Sequence, residues 1–346
     1  MNRRVRTLSV AGVLALVLFL VALFLPVPYV ALGPGEADDV LGQDPRVPAE
    51  QVIAVSGAPT YPTSGRLLLT TVSVGTGLSL GEALLRWGQA AYAVVPRTVV
   101  YPPQRSQSDT EKRDRADMVA SQDSSTVAAL SLLGIPRVVR VAGFSAGSRA
   151  QGPLKTDDEL LTVGGTPVPS LEALRAAVTA LPAGEPVTLG VRRDGKPMTV
   201  QVTTGSVQEA SGQRTVLGAS VQLAFTVDVR INLSLVGGPS AGLMYALGIL
   251  DKLTPGSLTG GKVIAGTGTI DADGTVGIIG GIQQKLRGAR QRGATAFLVP
   301  AGNCAEAVGA GVDGLQLVQV PAKGGLTAAR DDVTQLAAGD TRVPAC

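Results

Sequence analysis

The chain opens MNRRVRTLSVAGVLALVLFLVALFLPVPYVALGPGEADD, in which Arg3, Arg4 and Arg6 precede an uncharged stretch from Thr7 to Gly35. Its centre, Leu8–Leu25, is strongly apolar. At 1.5 Å per residue, about 18–20 helical residues of this kind nearly cross the ~30 Å hydrocarbon core of a bilayer. A cleaved signal peptide has a shorter apolar part, about 7–15 residues, before a small-x-small site. Leu25-Pro26-Val27-Pro28-Tyr29 offers no such site. The expectation is a signal anchor over 7–30 that spans a membrane once. The arginines would keep residues 1–6 in the cytoplasm and place everything after Pro26 outside.

The absence of histidine among 346 residues excludes Ser-His-Asp and Cys-His catalysis, an H-E-x-x-H zinc site and a histidine pH switch. A hydrolase built from this chain must activate its nucleophile otherwise. Net charge is only +3 and aromatic residues are 3%, so neither a basic stripe nor a base-stacking platform is available. Nucleic acid is therefore not an expected partner. With 45% hydrophobic and 16% charged residues the chain is a folded one, and 44 glycines with 22 prolines imply many turns. Cys304 and Cys346 have no C-x-x-C spacing, and a disulfide between them would close a 43-residue loop (304 to 346 inclusive). Loop entropy assigns such a bond roughly 3–4 kcal/mol; the alternative is two unpaired thiols.

Beyond the apolar segment, Val52–Val55 and Arg66–Val74 read as strands. Ser79 and Glu82 have capping-box spacing ahead of a helix over Ser79–Ala93, with Leu80, Leu84, Trp87 and Ala91 on its apolar face. Tyr101–Met118 is polar, a connector or an exposed helical excursion, and Asp123–Leu133 is a capped helical pattern. A second texture follows: strand Arg137–Ala142, a small-residue turn region Gly143–Gly152, strand Leu160–Val163 and the Gly164-Gly165 turn. Next come a helix over Ser170–Leu181 and a hairpin, Val187–Arg192 with Met198–Thr203, across Asp194-Gly195.

These residues carry a resemblance to the PDZ domains of bacterial proteases. The pattern G-x-L-x-x-x-D-x-[IL]-L-x-V-x-G-x-P-V is met by Gly152, Leu154, Asp158, Leu160, Leu161, Val163, Gly165, Pro167 and Val168. Asp157 departs from it where the family has glycine, and Arg149 stands at a common proline position. The resemblance covers roughly Ser124–Thr204. It implies capture of an extended peptide, often a C-terminus, by strand addition beside a helix; the alternative is a PDZ-shaped spacer with no free groove.

Ser220–Leu235 is apolar and β-branched, with Asp228, Arg230 and Asn232 alternating along one face. Gly237-Gly238-Pro239 then turns the chain, and Ser240 starts a helical stretch to Leu253 buried by Leu243, Leu247 and Leu250. A serine there is ordinarily an N-cap, but the same place offers unpaired N–H groups for an oxyanion hole. Gly280-Gly281 leads into a helix over Ile282–Gln291 with Lys285 near its N-terminal end. The helix dipole disfavours an ammonium there and burial would lower its pKa further. Such a lysine could deprotonate a serine; the alternative is an ordinary surface lysine.

GGPSAG, followed 45 residues after its serine by the lysine of GGIQQK, with TGT between and FLVP after, resembles the Lon proteolytic domain. The overlap runs from about Val216 to at least Val320, and RLLLTTVSV with SLGEALLRW resembles the strand and helix that open such a domain. The order of segments resembles a family of bacterial membrane-anchored PDZ–Lon proteins. The resemblance implies an α+β chain: N-terminal transmembrane helix 7–30, a segment 36–118 completing the protease domain, a PDZ-like β-rich domain 124–205, and a Lon-type proteolytic α/β domain 215–346. The PDZ-like domain would then be inserted in a discontinuous protease domain.

The same resemblance implies an ATP-independent serine endopeptidase placed at a bacterial cell membrane, single-pass, with its catalytic part extracytoplasmic. Ser240 would be the nucleophile, Lys285 the general base and acid, and Thr267 the residue that orients the lysine. Backbone N–H groups around Ser240 would hold the oxyanion. Polypeptides are the implied substrates, a homo-oligomeric ring the implied assembly, and no cofactor or metal is implied. Thr269 departs from the family by replacing the acidic residue after T-G. Leu235-Val236-Gly237 lacks the charged residues common in ATP-dependent members. The run Gly256–Lys262 has phosphate-loop spacing, but Val263 replaces the Ser or Thr that would bind magnesium. The alternative function is a non-proteolytic PDZ adaptor or scaffold with a Lon-like fold.

Overall fold

The computed structural model describes residues 3–44, 47, 50–103, 106–209, 212–232, 237–340 and 342–346. The N-terminal helix, Arg3–Ala22 (α1), ends before the apolar run does. From Leu23 the chain turns against the start of the helix Leu80–Trp87 (α2). Leu80 N–H donates to Leu25 O and Gly81 N–H to Leu23 O, both at 2.9 Å. The apolar helical stretch from Leu8 to Ala22 is therefore about 22 Å long at 1.5 Å per residue, against ~30 Å of hydrocarbon. Among the described residues no helix is long and apolar enough to cross a membrane. This overturns the expected transmembrane helix over 7–30. With it goes the single-pass placement at a cell membrane with a cytoplasmic N-terminus and an extracytoplasmic catalytic part. Tyr29 and Val30, counted in that anchor, instead open a sheet strand.

The chain divides into two compact units, Met1–Leu133 with Val229–Cys346, and Gly134–Asp228. In the first, Tyr29–Asp39 (β1) pairs antiparallel with Arg66–Gly75 (β2) and with Ala93–Pro96 (β3). Ser79 caps α2 with the full capping box expected, its side chain accepting from Glu82 N–H while Glu82 accepts from Ser79 N–H. The helix stops at Gly88, and of its residues only Ala83 is buried; Leu84 and Trp87 stay exposed. Of the two readings of Tyr101–Met118, a connector or an exposed helical excursion, the structure shows the helical one from Gln107, continuous with the helix expected over Asp123–Leu133 as Gln107–Leu132 (α3), capped by Ser106.

The second unit is a twisted sheet with one helix. Arg137–Phe144 (β4) and Glu159–Val163 (β5) precede Leu171–Thr179 (α4); Pro186–Arg193 (β6), Lys196–Thr203 (β7) and Ala219–Phe225 (β8) follow. The strand order is β8-β4-β5-β6-β7, which leaves β8 at an edge. The β6–β7 turn has Asp194 at φ 50° and Gly195 at φ 76°, the left-handed pair a two-residue hairpin needs. Leu154, Asp158, Leu160, Val163 and Val168 are all buried, so most of the residues that meet the sequence pattern over 152–168 are core. Buried Asp158 accepts two bonds from Arg193, at 2.7 and 2.6 Å, and one from Lys155 N–H at 2.9 Å. Burial pushes that carboxyl up, but Arg193 and the N–H prevail and hold it below the usual range.

The chain then returns to the first unit. Gly242–Leu253 (α5) is followed by Val263–Gly266 (β9), Ile282–Gln291 (α6), Ala296–Pro300 (β10), Gln316–Val320 (β11) and Gly325–Ala337 (α7). The strand order β11-β10-β9-β2-β1-β3 shows one sheet shared by N-terminal and C-terminal segments, with β9 parallel to both β2 and β10. Its parallel part carries continuous apolar runs such as buried Phe297-Leu298-Val299, as expected where both faces are covered. Ile282, Leu286 and Ala289 of α6 pack with Leu68, Ala265 and Phe297. Every α5 residue from Gly242 to Asp251 is buried, because α3 covers the side that a simple apolar stripe would leave open.

Candidate active site

Ser240 does not cap α5. The helix begins two residues later, at Gly242, and its N-cap is Ala241, with no side-chain bond. The Ser240 hydroxyl is thus left for other partners. Lys285 lies in the first turn of α6, which opens at Gly281 with φ 69°. A Cβ at Gly281 would stand 2.7 Å from Val72 Cγ2, so glycine is required on both counts. Thr267 follows directly on β9 and is buried. The parallel sheet therefore delivers Thr267 at the carboxyl end of a central strand, where open α/β sheets place their ligands.

Lys285 Nζ lies 2.8 Å from Ser240 Oγ, 3.0 Å from Thr267 Oγ1 and 3.0 Å from Thr70 O. Thr267 Oγ1 donates its own proton to Ser240 O at 2.9 Å and so can only accept from the amine. Thr70 O is a carbonyl and likewise only accepts. A neutral amine that donates to both turns its remaining tetrahedral position, the lone pair, toward the Ser240 hydroxyl. Lys285 is 3% exposed, and burial pulls its amine from 10.5 to about 7. Desolvation of the charged form is the cause. The site thus holds a hydroxyl against an amine poised to take its proton near neutrality.

The structure brings Ser240, Lys285 and Thr267 together. It adds partners that carry no recognisable motif in the sequence. Thr70 O is a backbone atom on β2 and leaves no side-chain signature. From α3, Ser121 Oγ donates to Pro239 O at 2.9 Å, Ser125 Oγ shares its one proton between Ser121 O at 2.5 Å and Gly242 O at 2.9 Å, and Gly238 N–H donates to Asp114 O at 3.0 Å. Their trace in the sequence is two serines on the buried face formed by Met118, Ser121, Ser125, Ala128 and Ala129. Thr269 pairs with Gly277 in a short two-strand ladder beyond Thr267. Cys304 and Cys346 form a disulfide with Cα atoms 5.2 Å apart. Cys346 N–H also donates to Leu317 O at 3.3 Å, which lays the chain end along β11.

In the second unit, a cavity of about 420 Å³ lies between α4, the start of β8 and the hairpin Gly205–Glu209 with Gly212–Val216, which contributes Val207, Arg214 and Val216. Leu174 and Val178 face Leu217, Ala219 and Val221 across it, with Arg175 at the rim.

Two family models match the chain: the Lon protease (S16) C-terminal proteolytic domain over residues 234–310 and the PDZ domain over residues 117–204. The chain thus contains a PDZ domain and a Lon-type proteolytic domain. The first residues of the PDZ match, 117–132, belong to α3, whereas the compact unit begins at Gly134. A stretch of 55 residues, 16% of this chain, is 40% identical to the periplasmic serine endoprotease DegP of Escherichia coli K12, and it spans 12% of that protein's length. Among solved structures, the PDZ domain of an SdrC-like protein from Listeria monocytogenes is 14% identical with a TM-score of 0.22 and covers 24% of this chain and 86% of that one. A protein from Geobacillus thermodenitrificans is 21% identical with a TM-score of 0.21 and covers 24% of this chain and 95% of that one.

Proposed function

We propose that this protein is an ATP-independent serine endopeptidase that uses Ser240 as nucleophile and Lys285 as general base and acid. The reading rests on one observation, a buried amine held at about 7 that stands 2.8 Å from Ser240 Oγ. Neutral Lys285 takes the Ser240 proton as Oγ attacks the scissile carbonyl. The ammonium so formed donates that proton to the departing amine, which leaves an acyl group on Oγ. Water, deprotonated by the same lysine, then releases the acyl group and restores the hydroxyl. Thr267 orients the amine throughout, and N–H groups at the start of α5 stabilise the oxyanion. The PDZ domain supplies polypeptide recognition: an extended peptide adds to β8 with its side chains toward Leu174 and Val178 of α4.

Purified Ser240→Ala and Lys285→Ala proteins are expected to lose cleavage of an unfolded polypeptide, assayed without nucleotide, while keeping the circular dichroism of the unaltered chain. Full cleavage by Ser240→Ala protein would reject the assignment. A chain that neither cleaves nor takes an acylating label at Ser240 would be a PDZ adaptor with a Lon-like fold. Ring assembly is a separate expectation of the same reading, checked by mass measurement alongside activity; an active monomer rejects it.

A further inference from the structure

In a trans peptide the C=O and N–H bonds point in opposite directions, so whatever holds one residue's carbonyl decides where the next residue's N–H faces. No cis peptide occurs among the described residues. Two successive carbonyls at Ser240 are held by hydroxyls. Ser240 O accepts from Thr267 Oγ1 and from Gly268 N–H, both at 2.9 Å, which turns Ala241 N–H away from the end of β9. Pro239 O accepts from Ser121 Oγ at 2.9 Å, which turns Ser240 N–H away from α3. We propose that Ser121 is a positioning residue for the oxyanion hole: by holding Pro239 O it aims Ser240 N–H at the oxygen that gains charge when Ser240 is acylated. The inference rests on the serine-protease reading of Ser240 given above.

Alanine would suit position 121 better on helix propensity alone, and apart from Ser125 this buried face of α3 is Met118, Ala128 and Ala129. A buried hydroxyl is costly unless bonded, and this one is spent on the peptide ahead of Ser240. The fit is close: a Cβ at Gly242 would stand 2.7 Å from Ser121 Oγ. Ser125, equally buried and one turn along, differs in what it aims. Its one proton is shared between Ser121 O at 2.5 Å, within the helix, and Gly242 O at 2.9 Å, whose peptide partner Leu243 N–H already donates to Gly268 O at 3.1 Å. No donor is directed at the reacting atoms through Ser125. The two serines therefore separate aiming from mere support of α3.

The test compares Ser121→Ala and Ser125→Ala full-length proteins on a chromogenic peptide. Ser121→Ala is expected to lower kcat about 10- to 100-fold, the scale of an impaired oxyanion donor. Its KM and the pH midpoint set by Lys285 should stay in place. Ser125→Ala should lower kcat less than about threefold for a similar loss of melting temperature, and Ser121→Cys, with its weak S–H donor, should fall between. Wild-type kcat in Ser121→Ala, or equal losses in both alanine variants, would overturn the inference. If the unaltered protein neither cleaves peptide nor accepts an acyl label, the protease reading is what fails. Amide hydrogen exchange then decides the aiming on its own: Ser121→Ala should change the Ser240 exchange rate at least about tenfold and Ser125→Ala should not, and an unchanged rate in Ser121→Ala overturns the inference.

Discussion

Lys285 is where sequence, packing and chemistry meet most directly. Its helix starts after two glycines, its amine is buried, and its three neighbours are the Ser240 hydroxyl and two acceptors. In the proposed protease mechanism the active form is the neutral amine, so kcat/KM should rise with pH and level off above about 7. The same shift governs stability. Below the folded value both folded and unfolded chains carry the charge, and the folded one bears its full burial cost. Between about 7 and 10.5 the unfolded chain binds more protons, so stability rises with pH across that window. Lys285→Met removes the cost, which amounts to roughly 3–5 kcal/mol. Melts should show the variant more stable than the unaltered protein at pH 6 and the gap closing toward pH 10.5. A gap independent of pH would show that the lysine is not held neutral by burial.

At the scale of elements, the turn into β5 explains a departure from the PDZ pattern. Asp157, where that family has glycine, sits at φ 70° with its N–H donating to Val141 O at 2.9 Å. Aspartate tolerates the left-handed region better than most residues, but glycine enters it without the Cβ clash. Asp157→Gly should raise stability by about 0.5–1 kcal/mol, read from urea unfolding of the full chain, and a lowered midpoint would contradict the account. Helices were legible to different degrees. The capping box of α2 and the glycine-led start of α6 are local signals and stand where the spacing puts them. Helix α3 is not legible as one element, because its first turns are polar and its middle, where Ser121 and Ser125 sit, lacks the apolar period that marks a buried helix. The apolar N-terminal run misled in the opposite way. Composition sets how apolar a segment is, but backbone pairing of Leu23 and Leu25 with the start of α2 decides where the helix ends.

Across the whole molecule, the first unit is closed by segments from both ends of the chain. The sheet order joins β1, β2 and β3 to β9, β10 and β11, and the Cys304–Cys346 bond ties the last residue back beside β11. Reducing that bond, or Cys304→Ser, should destabilise this unit by roughly 3–4 kcal/mol, since a loop of some forty residues is released in the unfolded chain. Calorimetry should resolve this as a fall in one transition, while the unit Gly134–Asp228, with its own core of Val139, Leu160, Leu174 and Leu189, melts unchanged. Equal shifts of both transitions would mean that the two units unfold together.

The sequence by itself determined the chemistry on offer. With no histidine, a serine after Gly-Gly-Pro and a lysine after Gly-Gly, the residue types and the turns that present them are local matters of backbone freedom and side-chain identity. Only the tertiary structure decided the contacts that make those residues a site: Thr70 O on the lysine, Ser121 on the peptide before the serine, and α3 laid along α5. Each of these joins residues more than a hundred positions apart, and the first two depend on a backbone carbonyl, which every residue carries alike. Its use is set by where the sheet and α3 bring it, and no residue type in the sequence records that.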